Sequence, residues 1–283
     1  MVNQGKMKPY FSDAMQTLLR QVHINMPIKL LPKYLEMILH YRLNVELGFE
    51  AVELDRMSGK ELSAVAGKLH GRNCRISLHG PFWDLSTGSV DPLIRKVSVS
   101  RFQQLFETLD IFRPVQVVLH TGFDPRHHRG HRRAWLDNSM AIWEPLVKRA
   151  EGLNIPLLLE NVWERDPELH LELFGRIDSP FFGFCLDVGH QHSFSGTALS
   201  VWLEALWHVL REIHVHDNDG SRDAHLPVGR GSIDFALLFD FLKARNLTPL
   251  LTLEPHLEEH LPESLSGLMR VMTACGTAWP VLS

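Results

Sequence analysis

Residues 155–161 read IPLLLEN and residues 181–190 read FFGFCLDVGH. Each is a short apolar run that ends on a carboxylate, Glu160 or Asp187, and then breaks into a turn. Runs this short and this continuously apolar are the signature of strands buried on both faces, which belong to a parallel sheet covered by helices. The acid stands at the end of the run rather than inside it. That places it at the C-terminal edge of a strand, where α/β barrels hold their catalytic groups.

The same pattern recurs outward from this pair. Strands are expected at Val22–Met26, near Asn44–Leu54, and at Arg75–His79, Val115–His120, Pro156–Asn161, Phe182–Val188, Glu212–His216 and Leu250–Glu254. Helical spacing fills the intervals. In 98–112, Phe102, Leu105, Phe106, Leu109 and Phe112 fall on one face. Pro32, Pro92, Pro167 and Pro262 stand where helices should begin, since proline lacks only an amide that the first turn leaves unused. Eight β/α units imply an α/β fold closed into a (β/α)8 barrel, with an open doubly wound sheet as the alternative that strand counting leaves. With no repeat, low-complexity linker or Gly/Ser-rich boundary, residues 1–283 read as one domain, with 1–20 as an N-terminal extension.

Composition narrows the function. A formal charge of −4 supplies no general basic field for nucleic acid. Three scattered cysteines exclude a disulfide framework or a cysteine zinc site and suit a reducing, cytoplasmic compartment. The stretch MVNQGKMKPYFSDAM has no long apolar run, so neither a signal peptide nor a membrane span is expected. Seventeen histidines stand out, and their placement gives them meaning.

Six consecutive strands end in ionisable residues: SLHGP (His79), VLHTG (His120), LLLEN (Glu160), CLDVGH (Asp187, His190), IHVHDN (His214, His216) and TLEPH (Glu254). Glu160 shares strand parity with Leu158, Asp187 with Cys185 and Glu254 with Thr252, so each acid can point into the barrel mouth. Several carboxylates buried together need cations to neutralise them. Histidine nitrogens with carboxylate oxygens, and no cysteine, suit Zn²⁺, Mn²⁺ or Fe²⁺. Asp223 and His225, on the polar loop after the seventh strand, read as a further ligand pair, and Gly229-Arg230-Gly231 as an anion-approaching loop. Phe82, Trp83, Phe123 and Trp163 give the rim an aromatic character. The basic run Arg126–Arg133 is expected on the same face, able to receive a phosphate.

Taken together, HGP, HTG, LEN, LDVGH, HVHDN, DAHLPVGRG and LEPH resemble the xylose isomerase-like barrel superfamily that includes endonuclease IV, over roughly residues 20–270. The resemblance to endonuclease IV implies two or three divalent ions. His79, His120 and Glu160 would hold the first, Glu160, Asp187, His214 and Glu254 the second, and His190, Asp223 and His225 the third. Sugar isomerases and epimerases of the superfamily resemble only the second group. The basic DNA-engaging loops of endonuclease IV, and its second-strand region, are not evident. HGPFWDL, HTGFD, LDVGH and TLEPH also resemble the superfamily's cobamide-remodelling phosphodiesterases.

These readings favour metal-dependent phosphodiester hydrolysis of a small phosphorylated, partly apolar substrate. Glu160, Glu254 and His190 would be catalytic, with Phe82, Trp83, Asn161, Trp163, His216 and Arg230 at the substrate. The alternative is a one-metal sugar or sugar-phosphate isomerase or epimerase in which Glu160 and Glu254 move protons. An abasic-site DNA endonuclease ranks below both, and a barrel that binds metal without turnover ranks last.

Overall fold

In the computed structural model, which describes residues 10–277, the eight runs become eight parallel strands. They are β1 (Val22–Pro27), β2 (Asn44–Gly48), β3 (Ile76–His79), β4 (Val117–His120), β5 (Leu157–Glu160), β6 (Phe182–Asp187), β7 (Leu210–Val215) and β8 (Leu250–Leu253). Each pairs with the next, and β8 pairs with β1. Closure excludes the doubly wound alternative and leaves the sheet no open edge.

Strand parity sorts the side chains. Val117, Leu119, Leu157, Leu159, Phe184 and Leu186 join the main core, together with the buried faces of the helices. One residue out of step, Val118, Leu158 and Cys185 form a separate small cluster inside the barrel. The next residues of that parity are His120, Glu160 and Asp187, at the mouth. The strand alternation that builds a dry outer layer therefore also delivers the polar residues inward.

The remainder of the barrel interior is largely polar. Gln116 and Thr252 both donate to Glu212, whose pKa is pushed well above the carboxylate range by burial and then by Glu46. His23 Nδ1 lies 2.9 Å from the Ser77 hydroxyl, and burial lowers its pKa to about 3, keeping it neutral.

Most expected boundaries agree, and one element differs. The stretch 44–54 is not one strand: β2 ends at Gly48, Phe49 turns into the core, and Ala51–Arg56 is a helix. Its apolar content is divided between two elements, and Ala, Glu and Leu favour the helix. Pro32, Pro92 and Pro262 lie in first helical turns, and Pro167 immediately precedes the helix Glu168–Arg176. Phe102, Leu105, Phe106, Leu109 and Phe112 are all buried. Within the expected extension, residues 1–9 lie outside the described residues, while the helix Asp13–Leu19 buries Leu18 and Leu19 in the core. Among the described residues, no helix is long and apolar enough to cross a membrane.

Candidate metal centre

Glu160 ends β5, is 1% exposed, and stands at the meeting point of four histidines. Its Oε2 lies 2.9 Å from His79 Nε2 and 3.0 Å from His120 Nε2. Its Oε1 lies 3.0 Å from His190 Nδ1 and 3.5 Å from His214 Nδ1. The two oxygens thus face two different sets of nitrogens. Burial works to raise the Glu160 pKa, but the histidines, His120 and His214 first, hold it well below the carboxylate range.

Around Oε1 a second set gathers. His214 Nδ1 is 3.3 Å from Glu254 Oε1 and 3.8 Å from Asp187 Oδ2. Asp187 caps the helix Val188–Phe194 by accepting the His190 amide at 2.6 Å, and its carboxylate takes His216 Nε2 at 3.1 Å. Gly189 has its place because the His216 ring covers it: a Cβ there would lie 1.9 Å from His216 Cε1. The third set is carried by a loop. His190 Nε2 and His225 Nε2 approach Asp223 Oδ2 at 3.4 and 3.0 Å.

That loop is held by Asp217, which is buried. Its carboxylate accepts the amides of Asn218, Gly229, Gly231 and Ile233 at 2.9–3.2 Å. The glycine amides read from sequence as an anion site are consumed by this internal carboxylate, and a Cβ at Gly231 would collide with Asp217 and Asn218. Losing a buried partner of four amides costs about 3–5 kcal/mol. Asp217→Ala is therefore expected to lower the unfolding free energy by that amount in denaturant melts, and to weaken metal binding at Asp223 and His225.

Three observations fit these residues to divalent cations. All nine residues expected from sequence converge at the barrel mouth. Ligand atoms of His79, His120 and Glu160 lie within 4.8 Å of one another, as do those of His190, Asp223 and His225. Among the described residues, His214 Nδ1 and Asp223 Oδ1 are buried without a hydrogen bond, although both face this cluster. Buried polar atoms are rarely left so, and oxygen and imidazole donors are what Zn²⁺, Mn²⁺ and Fe²⁺ take.

The expected substrate residues divide. Phe82 stacks on His120 with ring centroids 4.4 Å apart, and Trp83, 70% exposed, stands beside it on the cavity wall. Trp163 also lines the cavity, packed on Phe194 and covered by the Arg126 guanidinium at 4.5 Å. Phe123 also lines the cavity, although it is buried.

Three residues require correction. Asn161 is buried and exchanges two 2.9 Å hydrogen bonds with the Asp187 backbone, so it ties β5 to β6 and does not face a substrate. His216 is buried behind Asp187 and stacks on His225 at 3.7 Å. Arg230 pairs with Glu263 and lies outside the cavity lining. In the basic run, Arg126 is tied to Asp124 and Arg132 to Glu168 and Glu172, while His127 and His128 reach the cavity.

Sequence reading also missed residues. Glu46 on β2 is fully buried and lies 3.1 Å from His214 Nε2. Its signal is an acid inside the short run NVELG, two residues from Asn44 and so at the same strand parity. His256, of the LEPH motif, stacks on His225 at 3.5 Å and extends the column of rings to the cavity.

With this geometry in place, the family profile of the xylose isomerase-like TIM barrel matches residues 42–275. The chain belongs to that family. A relative within reach of sequence comparison is protein MJ1311 of Methanocaldococcus jannaschii, 30% identical over 188 residues. The match spans 63% of this chain and 64% of that protein's length. Among solved structures, a D-tagatose 3-epimerase-like protein superposes with a TM-score of 0.79 at 24% identity, covering 90% of this chain and 98% of that one. The TTHB071 protein of Thermus thermophilus, soaked with zinc chloride, gives 0.73 at 24%, again covering 90% and 98%. These likenesses establish the barrel. Two neighbours of the same fold are associated with zinc, the TTHB071 protein soaked with zinc chloride and the IOLI protein with a bound zinc atom.

Proposed function

We propose that this protein is a divalent-metal-dependent hydrolase that cleaves a phosphodiester in a substrate with a planar or apolar portion. The observation that carries the reading is the division of Glu160, with Oε2 facing His79 and His120 and Oε1 facing His190 and His214. A one-metal reaction needs only Glu160, Asp187, His214 and Glu254. It leaves His79, His120, His190, Asp223 and His225 without a purpose, and burying so many ionisable groups is costly. Two or three bound ions would supply hydroxide near neutral pH and compensate charge on both the attacking and the leaving oxygens.

The chain's own groups then have distinct tasks. Glu160 orients the attacking water, whose oxygen bonds to phosphorus as the P–O bond to the leaving alcohol breaks, and Glu254 and His190 pass the proton given up by the water to the leaving oxygen. The cavity, about 880 Å³, is far larger than a phosphate group needs and lies in the upper range for small-molecule sites. Its walls at Phe82–Trp83 and Trp163–Phe194 suit a flat apolar moiety, a cobamide among the diesters to be tried.

Isomerisation or epimerisation of a sugar or sugar phosphate is the second reading, and the comparisons favour it over the first. Structural neighbours include a D-psicose 3-epimerase and an L-ribulose 3-epimerase. In that reading Glu160, Asp187, His214 and Glu254 would hold one ion, which would align adjacent oxygens, and the two glutamates would exchange a proton next to a carbonyl. Metal analysis decides between them when combined with two assays, hydrolysis of bis(4-nitrophenyl) phosphate and a cobamide, and deuterium uptake from D2O by ketohexoses. Two or three metal equivalents with diester turnover are expected. One equivalent, with deuterium entering a ketose and no diester cleaved, would decide for the epimerase.

A further inference from the structure

Beneath the metal-facing side chains lies a set of polar groups that none of the steps above uses. Glu46, on β2, is completely buried. Its Oε1 accepts a 2.9 Å hydrogen bond from Asn25 Nδ2 of β1, and its Oε2 accepts one of 3.2 Å from the Ser77 hydroxyl of β3. The same Oε1 lies 3.1 Å from Nε2 of His214, on β7. Residues from β1 and β3 therefore fix a carboxylate on β2 against a histidine on β7.

A neutral imidazole carries one proton, and a carboxylate beside one nitrogen draws the proton there and leaves the lone pair on the other. At His214 the other nitrogen is Nδ1. It makes no hydrogen bond and faces Glu254, Glu160 and Asp187 at 3.3, 3.5 and 3.8 Å. Neither ring nitrogen completes a hydrogen bond, but Nε2 has the Glu46 carboxylate 3.1 Å away and Nδ1 faces three more, the disposition of a metal ligand with a carboxylate at its outer nitrogen.

We propose that Glu46 is a positioning residue, anchored by Asn25 and Ser77, that fixes the tautomer and ring orientation of His214 so that Nδ1 points at the metal shared with Glu160, Asp187 and Glu254. The inference rests on the metal centre of the proposed function, and is independent of whether a diester or a sugar is the substrate.

Zinc titration of the chelator-stripped, full-length protein in competition with a chromophoric chelator tests it. Glu46→Gln keeps the shape and an acceptor oxygen but removes the charge. It is expected to weaken one zinc equivalent about 10–100-fold while the others bind as in wild type. The metal-free variant should melt lower, because removing one partner of a buried carboxylate–imidazole pair leaves the other uncompensated. Glu46→Asp, which keeps the charge but withdraws it by one methylene, is expected to fall between the two. Wild-type zinc affinity in Glu46→Gln would overturn the proposal, and so would an equal loss of every equivalent. Wild-type protein that binds no zinc would overturn the metal centre itself, so the two failures are distinct.

Discussion

Alanine in place of His79 or His120 is expected to slow diester hydrolysis about 1000-fold and to reduce the bound metal by one equivalent. Each imidazole sets its Nε2 against Glu160 Oε2, at 2.9 and 3.0 Å, and among the described residues no other carboxylate lies within ion-pair distance of either. Losing one charge-stabilising centre removes about 4 kcal/mol from the transition state, and each 1.36 kcal/mol is a factor of ten. Folding should suffer less. Glu160 keeps His190 and His214 as neighbours, so the loss of one partner costs about 1–3 kcal/mol, which a denaturant melt can separate from the kinetic effect. A one-metal epimerase makes the opposite prediction, because neither histidine would touch its metal or its substrate oxygens. Variants that retain most of their turnover would therefore remove the multinuclear reading.

The barrel and most of its centre were legible in the sequence because one rule, strand parity, governs both. Leu157 and Leu159 had to be apolar for the outer core, and Glu160, one residue further on at the parity of Leu158, had to face the mouth. The same step placed Asp187 above Cys185. What lay beyond reach was whatever depends on pairing between distant elements. Asn161 and Arg230 are residue types that commonly meet substrates, yet each is engaged elsewhere, by the Asp187 backbone and by Glu263. The Gly-Arg-Gly loop did signal an anion, but the anion is the chain's own Asp217. Glu46 was overlooked because it lies within its strand, and only the closed barrel brings β2 across to His214.

Stripping the metals is expected to lower the melting temperature by about 10 °C per occupied site, and the gap should widen as pH rises. A ligand that binds only the folded state at a thousandfold excess over its dissociation constant adds about 4 kcal/mol, and each kcal/mol is about 2–4 °C in a chain of this size. The pH dependence follows from what takes the place of the cations. In the metal-free protein, burial lowers the pKa values of His79, His190, His214 and His225, but their acidic neighbours outweigh it and raise all four. A histidine raised above its unfolded value of about 6.5 stabilises the fold fully below that pH, and loses the contribution as pH climbs through the folded value. Buried Glu212 and Glu254, also raised, act in the same direction as they are forced to ionise. His23 and His170, lowered by burial to about 3 and about 4, weaken the fold only as pH falls below about 6.5, so they do not oppose the trend above it. Melting temperatures of chelated protein should therefore fall as pH rises above about 6.5. Loaded protein should not follow, because metal binding requires deprotonated imidazoles and tightens as protons leave. A gap that stays constant or narrows over that range would mean that these histidines are structural ion-pair partners and do not ligate metal.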